Sequence, residues 1–251
     1  MRKEFLILLL LLFLGCTNNK MKEYYDDGIL KAEYQTKKGQ KSGLYKEYYR
    51  DGSIMAKGHL ENNLREGPWT YFTKNSQVKA TGTYSSGLKT GIWIYDDGEK
   101  KVSWDIFKSE AHNFLINVPT TWKTETPLEN VVQFTPTNLN GLPNNLTLVF
   151  TELDSTFSLT QLFEQNKQSA IKNFADRNIK VLNTGELEIN GFESYWVLYN
   201  LNYSGQPINQ WQHSIKRKNE LVIVTCTAER TTFKEMEDIY KEIVLSLFLG
   251  Q

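Results

Sequence analysis

The sequence predicts an α+β protein in two parts: a sheet of repeated β-hairpins, then a mostly antiparallel sheet carrying helices. Three observations predict it: a 24-residue period between residues 21 and 104, seven strand-like runs after it, and two stretches with the 3.6-residue period of helices. A chain of 251 residues with 40% hydrophobic and 23% charged content exceeds one small core, so two folded regions are expected.

The first element is an address. Arg2 and Lys3 precede an apolar run from Phe5 to Leu14. A spanning helix needs about 20 apolar residues, so this run is too short for one, and its basic-then-apolar order is that of a secretion signal. Phe13 is followed by Leu14-Gly15-Cys16, which resembles a bacterial lipobox. The resemblance implies that residues 1–15 are a cleaved signal peptide and that Cys16 becomes the lipidated first residue, carrying palmitate-type acyl chains. Residues 16–20 would then form a tether to the membrane. The absence of aspartate after Cys16 resembles lipoproteins of the bacterial cell envelope that are sent to an outer membrane.

The repeat follows over 21–104. Gly43, Gly67 and Gly91 are 24 residues apart, as are Ala32, Ala56 and Ala80, and the series Tyr45, Trp69 and Trp93. Tyr24, Tyr48 and Phe72 keep the interval, trailed by Asp27-Gly28, Asp51-Gly52 and Asn75-Ser76, and a truncated fourth unit ends in Tyr95 and Asp97-Gly98. Each unit reads as aromatic strand, Asp-Gly turn, second strand and polar connection. Asp-Gly between strand-like runs predicts a tight hairpin turn with positive φ at both central residues. One hairpin cannot bury its apolar face, so neighbouring units are expected to stack their Tyr, Trp, Ile54 and Val78 side chains into an elongated sheet. Glycine, then Tyr or Trp two residues on, then a Tyr/Phe pair and Asp/Asn-Gly resembles MORN repeats, in the variant found in many bacterial proteins, some of them antitoxins. That resemblance implies a binding or spacing module and supplies no catalytic residue.

Beyond Trp104 the period stops and the charge reverses: residues 21–104 hold 14 basic and 11 acidic side chains, residues 105–251 hold 12 and 17. The boundary is therefore placed near Trp104, and 105–251 is expected to fold alone. Strands are expected at 114–118, 131–135, 146–153, 179–189, 193–201, 210–216 and 221–228, with hairpin turns at Asn190-Gly191 and Lys218-Asn219. Ser158 is expected to cap a helix bearing Leu159, Leu162, Phe163, Ala170, Ile171 and Phe174 on one face. Thr232 with Glu235 is expected to form a capping box for a second helix, with Phe233, Met236, Ile239, Tyr240, Ile243, Val244 and Leu247 facing inward. The opening Phe114-Leu115-Ile116-Asn117-Val118-Pro119 with Trp122, the middle helix, Ile189-Asn190-Gly191 and the closing Ser246-Leu247-Phe248 look like a PsbP-like domain. That resemblance implies an α/β/α sandwich with a mostly antiparallel sheet over 105–251, in a class that is mostly non-enzymatic.

Chemistry is sparse. Equal counts of 29 basic and 29 acidic residues supply no field for a polyanion, so no nucleic-acid partner is expected. His59, His112 and His213 lack metal-spaced partners, and Cys226 lies in a β-branched run where it reads as a small hydrophobe, so no metal and no cofactor are expected. Asp26-Asp27 and Asp96-Asp97 fall at turns, which favour aspartate. No P-loop, dinucleotide loop or nucleophile elbow occurs. The expectation is a non-enzymatic, membrane-tethered envelope lipoprotein that docks a protein partner through repeat aromatics, with Tyr45, Tyr48, Tyr49, Trp69, Tyr71 and Trp93 as candidate contacts. The alternatives are a carrier of a small apolar ligand, in a pocket beside the first helix, and an antitoxin-like or immunity protein that neutralises its partner.

Overall fold

The computed structural model describes residues 19–137, 144–153 and 157–250. The signal segment and Cys16 lie outside the described residues. Nine strands follow one another as an antiparallel meander: β1 (Asn19–Tyr24), β2 (Leu30–Lys37), β3 (Gln40–Tyr48), β4 (Ile54–Glu61), β5 (Leu64–Phe72), β6 (Val78–Ser85), β7 (Leu88–Tyr95), β8 (Lys100–Ser109) and β9 (Phe114–Pro119). The chain then builds β10 (Trp122–Leu128), β11 (Val131–Pro136), β12 (Asn145–Glu152), α1 (Leu159–Asn173), β13 (Lys180–Ile189), β14 (Phe192–Tyr203), β15 (Gln206–Arg217) and β16 (Glu220–Glu229). It closes with α2 (Phe233–Leu245) and β17 (Phe248–Leu249). The strands form a ten-stranded sheet, β1 to β9 in order with β17 beside β9, and a seven-stranded sheet ordered β10-β11-β12-β16-β15-β14-β13.

The repeat uses two kinds of turn. Lys38-Gly39, Asn62-Asn63 and Ser86-Gly87 have positive φ at both residues, the two-residue hairpin turn that matches strand twist. The Asp-Gly positions differ from expectation: only the second residue is left-handed, at Gly28 (φ 80°), Gly52 (φ 84°) and Ser76 (φ 62°). Gly28 N–H donates to the Tyr25 carbonyl (2.9 Å) and Tyr25 N–H to the Ile29 carbonyl (2.8 Å), and the same pair of bonds recurs around Gly52 and Ser76. This is the longer hairpin loop, a turn followed by one left-handed bulge residue. Aspartate is favoured there because its carboxylate caps the loop, as Asp51 does by accepting from Ser53 N–H at 2.9 Å.

The α/β/α sandwich expected for the second part is overturned. Among the described residues the structure is mostly antiparallel β, with two large sheets and two α-helices of 15 and 13 residues. Helix α1 covers one face of the seven-stranded sheet, with Phe163 against Val197, Tyr199, Leu201 and Ile208. The other face meets α2 and the ten-stranded sheet together. Phe107 of β8 packs edge-on to Phe134 of β11 (5.2 Å), Phe114 of β9 stacks on Phe150 of β12 (5.3 Å), and Tyr240 of α2 sits edge-on to Trp122 (6.0 Å). One apolar cluster runs from Ala56 and Trp69 in the repeats through Trp104 and Ile116 to Val224, Cys226 and Val244. The repeat surface does not end at Trp104, which lies inside β8, because β8 and β9 prolong the same sheet until it closes on the second one. Sheet against sheet buries what a helix layer would otherwise have to cover.

Two local readings also change. Ser158 and Gln161 form a reciprocal capping box on α1, whereas Thr232 makes no cap bond on α2 and donates its hydroxyl to the Glu229 carbonyl (3.3 Å). Strand β10 carries Lys123, Thr124, Glu125, Thr126 and Pro127, all exposed, and so lacks the apolar alternation that marks a half-buried strand. Among the described residues no helix is long and apolar enough to cross a membrane.

Candidate functional site

The inward face of the repeat sheet is an aromatic ladder built on small residues. Residues directly opposite across paired strands share a face, and the aromatics of β3, β5 and β7 stand opposite small residues of β4 and β6. Tyr45 faces Gly58, Trp69 faces Gly82, Tyr71 faces Ala56 and Ala80, and Tyr95 faces Ala80. The Trp69 ring lies on Gly58 and the Trp93 ring on Gly82, so a Cβ at either glycine would come within 2.3 Å of the indole. Ring centroids then follow one another at 6.5 Å (Tyr34 to Tyr45), 5.6 Å (Tyr45 to Trp69), 6.1 Å (Trp69 to Tyr71), 6.1 Å (Tyr71 to Trp93) and 6.3 Å (Trp93 to Tyr95). Each indole N–H is spent on a neighbouring carbonyl, Trp69 on His59 (3.0 Å) and Trp93 on Thr83 (3.1 Å).

A second periodic feature lies over this ladder: Lys41, Arg65 and Lys89, again 24 residues apart. Lys41 Nζ is 4.3 Å from the Tyr34 ring, the Arg65 guanidinium 5.1 Å from Trp69, and Lys89 Nζ 4.1 Å from Trp93. Such cation–ring contacts are worth roughly 0.5–2 kcal/mol, more when water is excluded. Two of the three cations also hold a carboxylate. Lys41 donates to Glu23 (2.8 Å), which keeps that carboxyl below the usual carboxylate range, and Lys89 donates to Glu242 of α2 (2.5 Å).

At the Lys89 end the ladder meets α2 and forms a cleft of about 280 Å³. Glu242 also accepts from the Tyr95 hydroxyl (2.8 Å), which in turn accepts from Trp104 Nε1 (3.2 Å). Behind them, buried Asn117 of β9 exchanges two 2.7 Å hydrogen bonds with the Lys89 backbone, and its own N–H donates to Ser246 Oγ at the end of α2 (2.8 Å). Burial pushes the Lys89 ammonium below its ordinary pKa and raises the Tyr71, Tyr84 and Tyr95 phenols, so all three phenols stay protonated. On the far wall the Tyr71 and Tyr84 hydroxyls are 2.9 Å apart beneath Arg65.

Of the residues singled out from the sequence, Tyr45, Trp69, Tyr71 and Trp93 come together in the ladder. Trp69 and Trp93 are 1% and 0% exposed and form its floor, while Tyr45 and Tyr71 are half-buried and keep an accessible edge. Tyr48 and Tyr49 stand apart: Tyr48 donates to Glu33 (3.0 Å) and Tyr49 to the Phe72 carbonyl (2.8 Å). Cys16 lies outside the described residues. Sequence reading missed Arg65, Tyr84, Lys89, Tyr95 and Glu242. The cations had a legible signal, each lying two residues before a repeat glycine, whereas Glu242 arrives from a helix 153 residues from Lys89.

The remaining candidates do not converge. His59 is in β4, His112 stacks on Phe150 (4.1 Å), and His213 is buried against Ser194 Oγ (3.2 Å). Cys226 is fully buried, which pushes its thiol pKa up. Among the described residues no group of three or more His, Cys, Asp or Glu side chains is placed to hold a metal. None of five surface clefts has a lining residue from α1.

The profile of the MORN repeat variant family matches residues 18–38 and 41–62, so the chain carries MORN-variant repeats there. No curated protein matches the sequence. Among solved structures the chain is similar to cyanobacterial PsbP (CyanoP) from Synechocystis sp. PCC 6803, at 14% identity over 61% of this chain and 96% of that one, with a TM-score of 0.48. It is similar to LpqN of Mycobacterium tuberculosis, described as involved in cell envelope biogenesis, at 10% identity over 60% and 92% of the two chains with a TM-score of 0.46. It is also similar to the T6SS immunity protein TplEi of Pseudomonas aeruginosa, at 10% identity over 92% and 97% of the two chains with a TM-score of 0.33.

Proposed function

We propose that this protein is a non-enzymatic docking module of the bacterial cell envelope, tethered through a lipid on Cys16, and that the inward face of its repeat sheet takes a protein partner. The supporting observation is the aromatic ladder with its row of cations. Tyrosine edges and an arginine set on a rigid, fully packed floor are the side chains that dominate protein interfaces, because they offer large contact area with little ordering cost. The floor itself, Trp69 and Trp93, holds the register of the hairpins. The lipid tether rests on Leu14-Gly15-Cys16 at the end of the apolar run.

Two measurements test the reading. Fatty-acid labelling of cells should mark the wild-type chain and leave Cys16→Ser unlabelled and released from the membrane; equal labelling of both removes the tether. For docking, a photoreactive phenylalanine replaces Tyr45 in the native bacterium, with the same residue at exposed Leu182 of β13 as control. Discrete adducts specific to position 45 are expected. Adducts equal at both positions, or absent at 45, would exclude the repeat face as the docking surface.

A further inference from the structure

Arg65 is the middle member of a row whose outer members are both neutralised. Lys41 has Glu23 and Lys89 has Glu242, yet among the described residues Arg65 has no carboxylate within ion-pair distance, its guanidinium bearing instead on the Tyr84 hydroxyl. Its repeat-equivalent acid, Glu47, is close enough to act through its field without forming the pair. Arg65 is exposed at the mouth of the cleft, with its guanidinium within 5.1 to 5.9 Å of the Trp69, Tyr71 and Tyr84 rings. Stacking occupies the flat face of a guanidinium and leaves its N–H edge, which fits a carboxylate with two parallel hydrogen bonds. Below it, the Tyr71–Tyr84 pair shares one hydroxyl hydrogen between its oxygens, so the second is free to donate. Lys79 lines the same cleft, and among the described residues Glu242, already held by Lys89 and Tyr95, is the one acid in its lining.

We infer that Arg65 and the Tyr71–Tyr84 hydroxyl pair receive an aspartate or glutamate side chain from an acidic segment of the docked partner. The inference rests on the docking reading and names the chemistry of what docks. A volume of about 280 Å³ admits one acidic side chain, below the range usual for a cofactor or drug-sized ligand. The neighbouring Glu47 and Glu242 tolerate a singly charged carboxylate better than a doubly charged phosphate. An extended segment laid on the ladder would meet Tyr71 and Arg65 first, then Tyr45 and Tyr34.

The test uses the full chain in detergent micelles and a fluorescent peptide alternating glutamate with tyrosine. Comparison arms are its twin with glutamine at each glutamate, inorganic phosphate as competitor, and vesicles containing phosphatidylglycerol. A charge-assisted pair of this kind is worth about 1.5–3 kcal/mol, so the glutamine twin and Arg65→Gln should each weaken binding by roughly ten- to a hundredfold. Arg65→Lys should recover part of the loss, and Glu47→Gln, which removes the nearest repelling carboxylate, should tighten binding. Unchanged circular dichroism and melting keep Arg65→Gln interpretable; if it fails to fold, the Arg65→Lys and Glu47→Gln arms decide. Equal binding of both peptides, insensitivity to all Arg65 and Glu47 changes, or a response only to phosphate or vesicles would overturn the inference. If crosslinking at position 45 persists in an Arg65→Gln background while peptide binding is unaffected, the docking reading stands and this inference falls.

Discussion

His213 shows how far one side chain can be forced from its solution behaviour. It is 0% exposed on β15, its Nε2 has no partner among the described residues, and burial pushes its pKa down to about 3. The folded-state value lies below the unfolded one, so the unfolded chain binds the extra proton as pH falls and stability is lost from about pH 6.5 downward. From pH 7.5 to pH 5 this single group should cost about 2 kcal/mol, read as a falling urea midpoint. His213→Gln should flatten that slope even though it lowers stability overall. Lys89 and Glu242 make the opposite case, with side chains only 13% and 32% exposed. Glu242→Gln leaves an ammonium partly buried without its counterion and should destabilise by about 1–3 kcal/mol. The double change Lys89→Met with Glu242→Leu should cost less than either single change, because both charges then leave the cleft.

At the scale of elements, the strands were legible wherever turn chemistry and alternation agreed. The 24-residue period placed β2 to β7 because aromatic, small and turn residues repeat in one register, and Asn190-Gly191 marked its hairpin for the same reason. Strand β10 was hidden because it is an exposed edge with a polar sequence, and the Asp-Gly loop was misread because the same dipeptide serves two loop lengths. Gly58 and Gly82 carried no obvious meaning in the sequence; in the structure each is the space an indole fills. Gly58→Ala should therefore destabilise by about 1–3 kcal/mol, as overpacking does, and blue- or red-shift the tryptophan emission. The two helix starts offer a paired check by thermal melting. Ser158→Ala should cost about 1 kcal/mol through its lost cap, whereas Thr232→Ala should stay within about 0.5 kcal/mol, since its side chain caps nothing.

The whole molecule was the least legible scale. Charge reversal and loss of period near Trp104 are real properties of the sequence, but neither reports which faces close on each other. Long-range contacts such as Phe107 with Phe134, or Lys89 with Glu242, leave no local pattern, so sheet-on-sheet packing and the cleft at α2 could not be read from spacing. One buried cluster joins the repeats to the following region, seating α2 against the ladder and so shaping the cleft. Cutting before residue 105 would split β8 and strip Trp69, Trp93 and Trp104 from that core. The direct measurement is calorimetric melting of the full chain beside a fragment of residues 105–251. A shared core predicts one transition, with calorimetric and van't Hoff enthalpies equal, in the full chain and no cooperative transition in the fragment. Two separate transitions, or a fragment that melts cooperatively at the temperature of the full chain, would contradict it.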